Sequence, residues 1–255
     1  MRVGVNGAAG RMGRTVCAAV AADPDLVFAA AVDPFGLGEM VEGVAVSEHL
    51  HAFVDAACDV VVDFTVADAA RNTLAWLGMH GIHAVVGTTG FADADFDLFE
   101  STFASASGPN CVIAPNFAIS AVLMMRFAEM AAPFFDTAEI IELHHDRKID
   151  APSGTAMKTA ERMGAARNGS FDPDATTDIA AEGARGGSGP AGIRVHSVRM
   201  RGMVAHQEVI LGTTGQTLTI RQDSYDRDSF MPGVLLACKK IGQVPGLSRT
   251  LDPFL

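Results

Sequence analysis

Short, continuous apolar runs alternate with helical patterns over the first part of the chain. Residues 2–5, 27–32, 60–64, 83–86 and 111–114 read as strands, and 11–22, 67–79 and 93–106 read as helices between them. Strands alternating with helices at this spacing imply βαβ units and a mostly parallel sheet. The strands lack a polar face, as Val60, Val61 and Val62 illustrate. That is the pattern of strands covered on both sides.

The pattern changes after Pro115. A helix (120–132) precedes a strand (138–143), a polar loop (144–152) and another helix (155–166). Residues 167–192 are poor in apolar side chains and read as a mobile loop. The runs 193–200, 204–211 and 217–222 read as antiparallel neighbours, with turns at Gly202 and Gly215. A final helix covers 229–241, and no internal repeat is present. This second part is expected to be α+β with an open mixed sheet, whose uncovered face a second subunit would close.

Composition narrows the function classes. The chain has 255 residues, 49% of them hydrophobic and 19% charged, enough to bury a core in one large or two modest domains. Its net charge of −11 argues against non-specific binding to nucleic acid or an anionic membrane, so any dense basic cluster stands out. The four cysteines, Cys17, Cys58, Cys111 and Cys238, form no paired motif. They argue against a zinc site and a disulfide framework and suit a reducing compartment. No apolar stretch reaches the roughly 18 residues of a membrane span. The expected location is the cytoplasm.

The first strand runs into Gly7-Ala8-Ala9-Gly10-Arg11-Met12-Gly13, and a helix pattern follows. Glycine permits a tight turn and close backbone approach to a pyrophosphate, which the N–H groups at the helix start can hold. Asp33, at the end of the second strand, is placed to accept hydrogen bonds from an adenosine ribose. The first part therefore reads as a Rossmann-like dinucleotide-binding domain. The turns Gly87-Thr88-Thr89 and Ala114-Pro115-Asn116-Phe117 follow other strands of the same sheet and are further candidate cofactor contacts. Read alone, each is also compatible with an ordinary βα loop.

The densest chemistry lies in His144-His145-Asp146-Arg147-Lys148, followed by Ser153-Gly154-Thr155 at a helix start. A histidine exchanges protons near neutral pH, and a lysine offers a compact positive charge. Hydroxyls and free N–H groups at a helix N-terminus suit a carboxylate. The combination suggests a small di-anionic substrate with a histidine near its reacting atoms. The same residues would also serve as a plain N-cap and a solvated basic loop. Neighbouring histidines on extended chain point to opposite sides and no third ligand is nearby, so no metal is expected.

The stretch from Glu142 to Ala156 matches every fixed position of E-x-HHxxKxDAPSGTA. It resembles the signature of the 4-hydroxy-tetrahydrodipicolinate reductase (dihydrodipicolinate reductase) family. The glycine turn, the Gly-Thr-Thr-Gly and Pro-Asn-Phe turns, and His196, Ser197, Arg199, Gly202 and His206 extend the resemblance over essentially the whole chain. It implies transfer of a hydride from a nicotinamide to an unsaturated cyclic dicarboxylate in diaminopimelate and lysine biosynthesis. By similarity His144 supplies the proton, assisted by Lys148, while His145, Ser153, Gly154 and Thr155 hold carboxylates. Gly7, Ala8, Ala9, Gly10, Arg11, Met12, Asp33, Gly87, Thr88, Thr89, Ala114, Pro115, Asn116 and Phe117 line the cofactor. The family also implies a homotetramer, and a last helix that packs back on the first domain. The expected division is thus 1–115 with 228–255 for the dinucleotide, and 116–227 for substrate and oligomerisation.

Many members follow the ribose-binding acid with an arginine; here Asp33 is followed by Pro34. An acid without that arginine favours NADH, because it repels a 2′-phosphate, although Arg11 offers a partial offset. Use of both cofactors, with NADH at least as good, is the expectation. Two other readings remain: a different Rossmann reductase, such as a semialdehyde dehydrogenase with an activated cysteine, or a non-catalytic dinucleotide sensor.

Overall fold

The apolar runs of the N-terminal part become neighbours in one sheet. In the computed structural model, which describes residues 1–105 and 107–255, its strands are β1 (Arg2–Asn6), β2 (Val27–Val32), β3 (Met40–Val41), β4 (Val44–Ser47), β5 (Val60–Asp63), β6 (His83–Val86) and β7 (Cys111–Ile113). Helices α1 (Arg11–Ala22), α2 (His51–Asp55), α3 (Ala67–Met79) and α4 (Asp93–Thr102) lie between them in the chain. Ala106, where the helix after β6 was expected to end, lies outside the described residues. The later elements are α5 (Ile119–Ala131), β8 (Thr137–His144), α6 (Gly154–Arg167), β9 (Gly187–Ser188), β10 (Arg194–Arg199), β11 (Ala205–Thr213), β12 (Gln216–Ser224), α7 (Met231–Lys240) and β13 (Leu247–Ser248). Two units result: residues 1–118 with 227–255, and residues 119–226. The turn Ala114–Phe117 therefore belongs whole to the first.

In the first unit the strand order is β13-β7-β6-β5-β1-β2-β4-β3. Among the described residues only β3 and β4 of this sheet pair antiparallel. The order reverses between β5 and β1, the place where open parallel sheets receive ligands beyond the strand ends. Val60, Val61 and Val62 are wholly buried, and Phe53, Leu74, Leu77, Phe99 and Phe103 fill the core on one side of the sheet. Each such side chain contributes about 1.5–3 kcal/mol by leaving water. Helix α7 packs against α1 through a face that includes Val234, Ala237 and Cys238. The sequence pattern missed β3, β4, α2 and β13, all too short to show a period.

The second unit is a five-stranded sheet in the order β12-β11-β8-β10-β9. This corrects one expectation: β10 and β11 are not neighbours. The long strand β8 lies between them, parallel to β10 and antiparallel to β11. The connection 200–204 passes the end of β8, where Met200 N–H bonds to His144 O at 3.1 Å. A central position gives β8 ladder bonds on both edges. Its alternate residues Ala138, Ile140 and Glu142 are buried on the face carrying α5 and α6. On that face Gln207 Nε2 donates to Thr159 Oγ1 at 2.9 Å. Glu139, Ile141 and Leu143 alternate with them on the opposite face and are only half-buried.

The segment 167–192, expected as a mobile loop, is largely irregular but carries specific anchors. Phe171 is buried and lies under the Arg167 guanidinium, 4.7 Å from its centroid. Arg185 bonds to both Asp174 and Glu139, and β9 pairs with β10. One aromatic anchor and a charge cluster replace the apolar run that the sequence lacks.

Candidate active site

The dinucleotide turn is built by glycines with different tasks. Gly7 leaves β1 at φ +76, a conformation that side chains disfavour. A Cβ on Gly13 would lie 1.9 Å from Gly7 O, so only glycine lets the first turn of α1 sit on the loop. Gly10 caps α1 without a side-chain bond, which leaves the helix N-terminus as a backbone anion site. Ala8 is buried while Gly10 and Arg11 are exposed and Ala9 and Met12 are half-buried. Arg14, absent from the sequence candidates, braces the turn: its Nε donates to Ala9 O at 3.0 Å, and its guanidinium pairs with Glu39.

Asp33 stands at the end of β2, where its carboxylate accepts from Ala9 N–H at 3.1 Å and Phe35 N–H at 2.9 Å. Both bonds fix its orientation and leave lone pairs that can accept further hydrogen bonds. Asp63, at the switch-point end of β5, was missed as well. It is wholly buried and accepts from Asn6 Nδ2 (2.8 Å), Thr65 N–H (2.9 Å), Thr65 Oγ1 (2.7 Å) and Thr88 Oγ1 (3.0 Å). Three turns are thereby tied to one carboxylate. Thr88 spends its hydroxyl inward, so it can face a ligand only through backbone, whereas Thr89 is exposed. Phe117 is buried against Phe64 and acts as an anchor, while Pro115 is exposed and Asn116 caps its own turn by accepting from Ala118 N–H at 2.8 Å.

In the second unit, Glu142 and His144 lie two residues apart on β8 and share a face. His144 Nδ1 is 2.5 Å from Glu142 Oε2. Arg199 grips the same carboxylate from β10, with Nη1 and Nη2 at 2.8 and 2.7 Å. Ser153 N–H, at the start of α6, donates to Glu142 Oε1 at 3.2 Å. Burial is the largest influence on Glu142 and would raise its pKa. The combined hydrogen bonds from His144, Arg199 and Ser197 outweigh it and hold the carboxyl at about 2.

The remaining candidates follow along the loop. Lys148 N–H closes a turn to His145 O at 3.1 Å, and Lys148 Nζ pairs with Asp150 at 2.8 Å, an ion pair the sequence reading did not include. Imidazole Nδ1 of His145 is buried without a protein partner. Ser153 is an N-cap, with Oγ accepting from Ala156 N–H at 3.2 Å. Its hydroxyl proton remains available, and Gly154 is exposed beside it. Among the described residues, no group of three or more His, Cys, Asp or Glu side chains is arranged to hold a metal ion. No described helix is long and apolar enough to cross a membrane. Cys111 is buried in β7, and burial first, then the charge of Asp63, pushes its thiol well above the ordinary range. That is the opposite of an activated nucleophile.

Strand order, glycine turn and a second unit with a mixed sheet define the class: Rossmann-type oxidoreductases. A probable dehydrogenase from Thermotoga maritima shares this fold, and the fold alone, with a TM-score of 0.66 at 12% identity over 100% of this chain and 92% of its own. Residues 1–117 match the N-terminal model of dihydrodipicolinate reductase and residues 120–255 the C-terminal model. The chain is 52% identical over 259 residues to 4-hydroxy-tetrahydrodipicolinate reductase of Nocardia farcinica, covering 100% of this chain and 98% of the relative. It is 49% identical over 258 residues to the same enzyme of Corynebacterium urealyticum, with coverage of 100% and 98%. A dipicolinate-bound dihydrodipicolinate reductase from Paenisporosarcina sp. TG-14 superimposes with a TM-score of 0.90 at 36% identity, over 100% of this chain and 99% of its own. The chain belongs to the dihydrodipicolinate reductase family and is an NAD(P)H-dependent oxidoreductase of diaminopimelate and lysine biosynthesis.

Proposed function

We propose that this enzyme reduces 4-hydroxy-tetrahydrodipicolinate to tetrahydrodipicolinate, with loss of water, through the loop 144–155. The observation that carries the reading is a shared partner: His144 and the N-terminus of α6 both bond to Glu142, at 2.5 and 3.2 Å. A proton-exchanging imidazole and an anion-binding helix end are thus held together. A solved relative of 36% identity is described as dipicolinate bound, and dipicolinate is a ring dicarboxylate.

When bound, the reduced nicotinamide supplies the hydride. His144 supplies the proton. Lys148 assists transfer and balances negative charge; its bond to half-exposed Asp150 is one that an arriving carboxylate competes for. The hydroxyls of Ser153 and Thr155, the N–H groups at the start of α6 and the imidazole of His145 hold the carboxylates. The unpartnered Nδ1 of His145 supports that assignment.

For the cofactor, the glycine turn packed closely on α1 at Gly13, the uncapped start of α1 and the fixed carboxylate of Asp33 fit a dinucleotide. With Pro34 after Asp33, the enzyme uses both cofactors and NADH at least as well. The half-buried face of the second sheet, with Ile141, Leu143 and Ile210, closes against other copies in a homotetramer.

The test is turnover: freshly generated substrate plus purified enzyme, followed by loss of the reduced-nicotinamide absorbance. No oxidation of either cofactor overturns the reading. Light scattering that gives the mass of one chain overturns the assembly.

A further inference from the structure

We propose that Glu142 is the positioning residue of the proton donor: it holds His144 by Nδ1 and leaves Nε2 as the nitrogen that meets the substrate. The proposal rests on the reading of His144 as proton donor and deepens it.

The argument begins with donor and acceptor capacity. Glu142 is wholly buried, and its carboxylate receives hydrogen bonds from Ser153 N–H (3.2 Å) and both Arg199 Nη groups (2.7 and 2.8 Å). An ionised carboxylate only accepts, so its contact with His144 Nδ1 at 2.5 Å requires the hydrogen on Nδ1. The neutral imidazole then carries its lone pair on Nε2, and the imidazolium donates from Nε2. On transfer the Nε2–H bond breaks, its electron pair stays on the ring, and the new bond forms on the substrate while the hydride arrives from the nicotinamide. Solvent restores the proton.

Arg199 explains why Glu142 does not take the proton instead. A bidentate guanidinium stabilises the ionised form of this buried carboxylate. The same arginine donates from Nη2 to Asp150 O at 2.7 Å, so β10 also steadies the loop that carries Lys148. The groups facing His144 are few. Glu142 comes from its own strand, Arg199 from β10 and the neutral Ala205 from β11; His145 and the Lys148–Asp150 pair follow along the loop.

The decisive experiment compares E142Q, E142D and H144A with the unaltered enzyme, reading kcat and KM. Glutamine keeps the shape and removes the charge. E142Q is expected to lower kcat roughly 10²-fold while the KM for NADH stays within about threefold. E142D keeps the charge and is expected to recover kcat at least about tenfold over E142Q. An E142Q enzyme with kcat within about threefold of the parent overturns the proposal. If E142Q does not fold, ¹⁵N NMR of His144 in the unaltered enzyme decides: hydrogen on Nδ1 of the neutral ring supports the proposal, and hydrogen on Nε2 with a bare Nδ1 overturns it. An H144A enzyme that keeps its kcat removes the proton-donor reading and the proposal with it. Collapse of H144A beside an unimpaired E142Q removes the proposal alone.

Discussion

Asp63 and Glu142 are both carboxylates with no exposed surface, each at or near the C-terminal end of a strand and each gathering several turns. Their partners differ in kind. Asp63 binds an amide, two hydroxyls and a backbone N–H, all neutral. Glu142 binds a guanidinium and an imidazole besides its backbone N–H. Neutral donors fix geometry without adding a second ionisable group, which suits a turn that must only present backbone. Cationic and titratable partners fix geometry and also fix where charge and protons reside. On the proposed reading the first arrangement shapes a dinucleotide turn and the second equips a loop for proton transfer.

Several substitutions sharpen or break this contrast. The largest effect belongs to the charged loop: His144→Ala and Lys148→Ala should each lower kcat by roughly 10²–10⁴ in steady-state assays. Loss confined to KM would make them binding residues instead. At the neutral site, Asp63→Asn keeps the volume but turns an acceptor into a donor facing Asn6 or the threonines. It should lower the stability measured by denaturant unfolding by about 1–3 kcal/mol and raise the KM for NADH. An Asp63→Asn enzyme that unfolds like its parent would show that Asp63 does not organise the turns. Asp33 comes next: NADPH should not exceed NADH by more than about tenfold in kcat/KM, or about 1.4 kcal/mol. A larger preference would show that Arg11 outweighs Asp33.

The smallest effect is on acid stability. The carboxyl of Glu142 is held at about 2 against an ordinary 4.5. Its contribution is therefore complete above about pH 4.5 and is lost as pH falls towards 2. Unfolding midpoints of E142Q should fall less steeply over that window than those of the parent, and parallel curves would contradict the linkage.

The alternating runs made the parallel sheet legible because each strand is apolar on both faces, as in Val60–Asp63. The glycine turn and the loop 144–155 were legible because rare residues cluster there. Periodicity was silent on β3, β4 and β13, where two to four residues carry no pattern. It misled on β10 and β11, since nearness in sequence suggests a hairpin and only the ladder bonds of β8 reveal the strand between them. Asp63 looked like the polar end of an apolar run, and its role depends on Asn6, Thr65 and Thr88 arriving from other turns. Glu142 left a trace, an acid two residues before a histidine on one strand face, but Arg199 is 57 residues away.

The first unit is interrupted: the chain leaves it at Ala118 and returns at Arg227. Strand β7 has β6 on one side and β13 on the other. In the chain that second partner, Leu247–Ser248, comes after the whole of the second unit. A chain synthesised only as far as the second unit therefore has β7 as an unprotected sheet edge and α1 without the cover of α7. An incomplete nucleotide fold of this kind is exposed to aggregation until the returning segment closes the sheet.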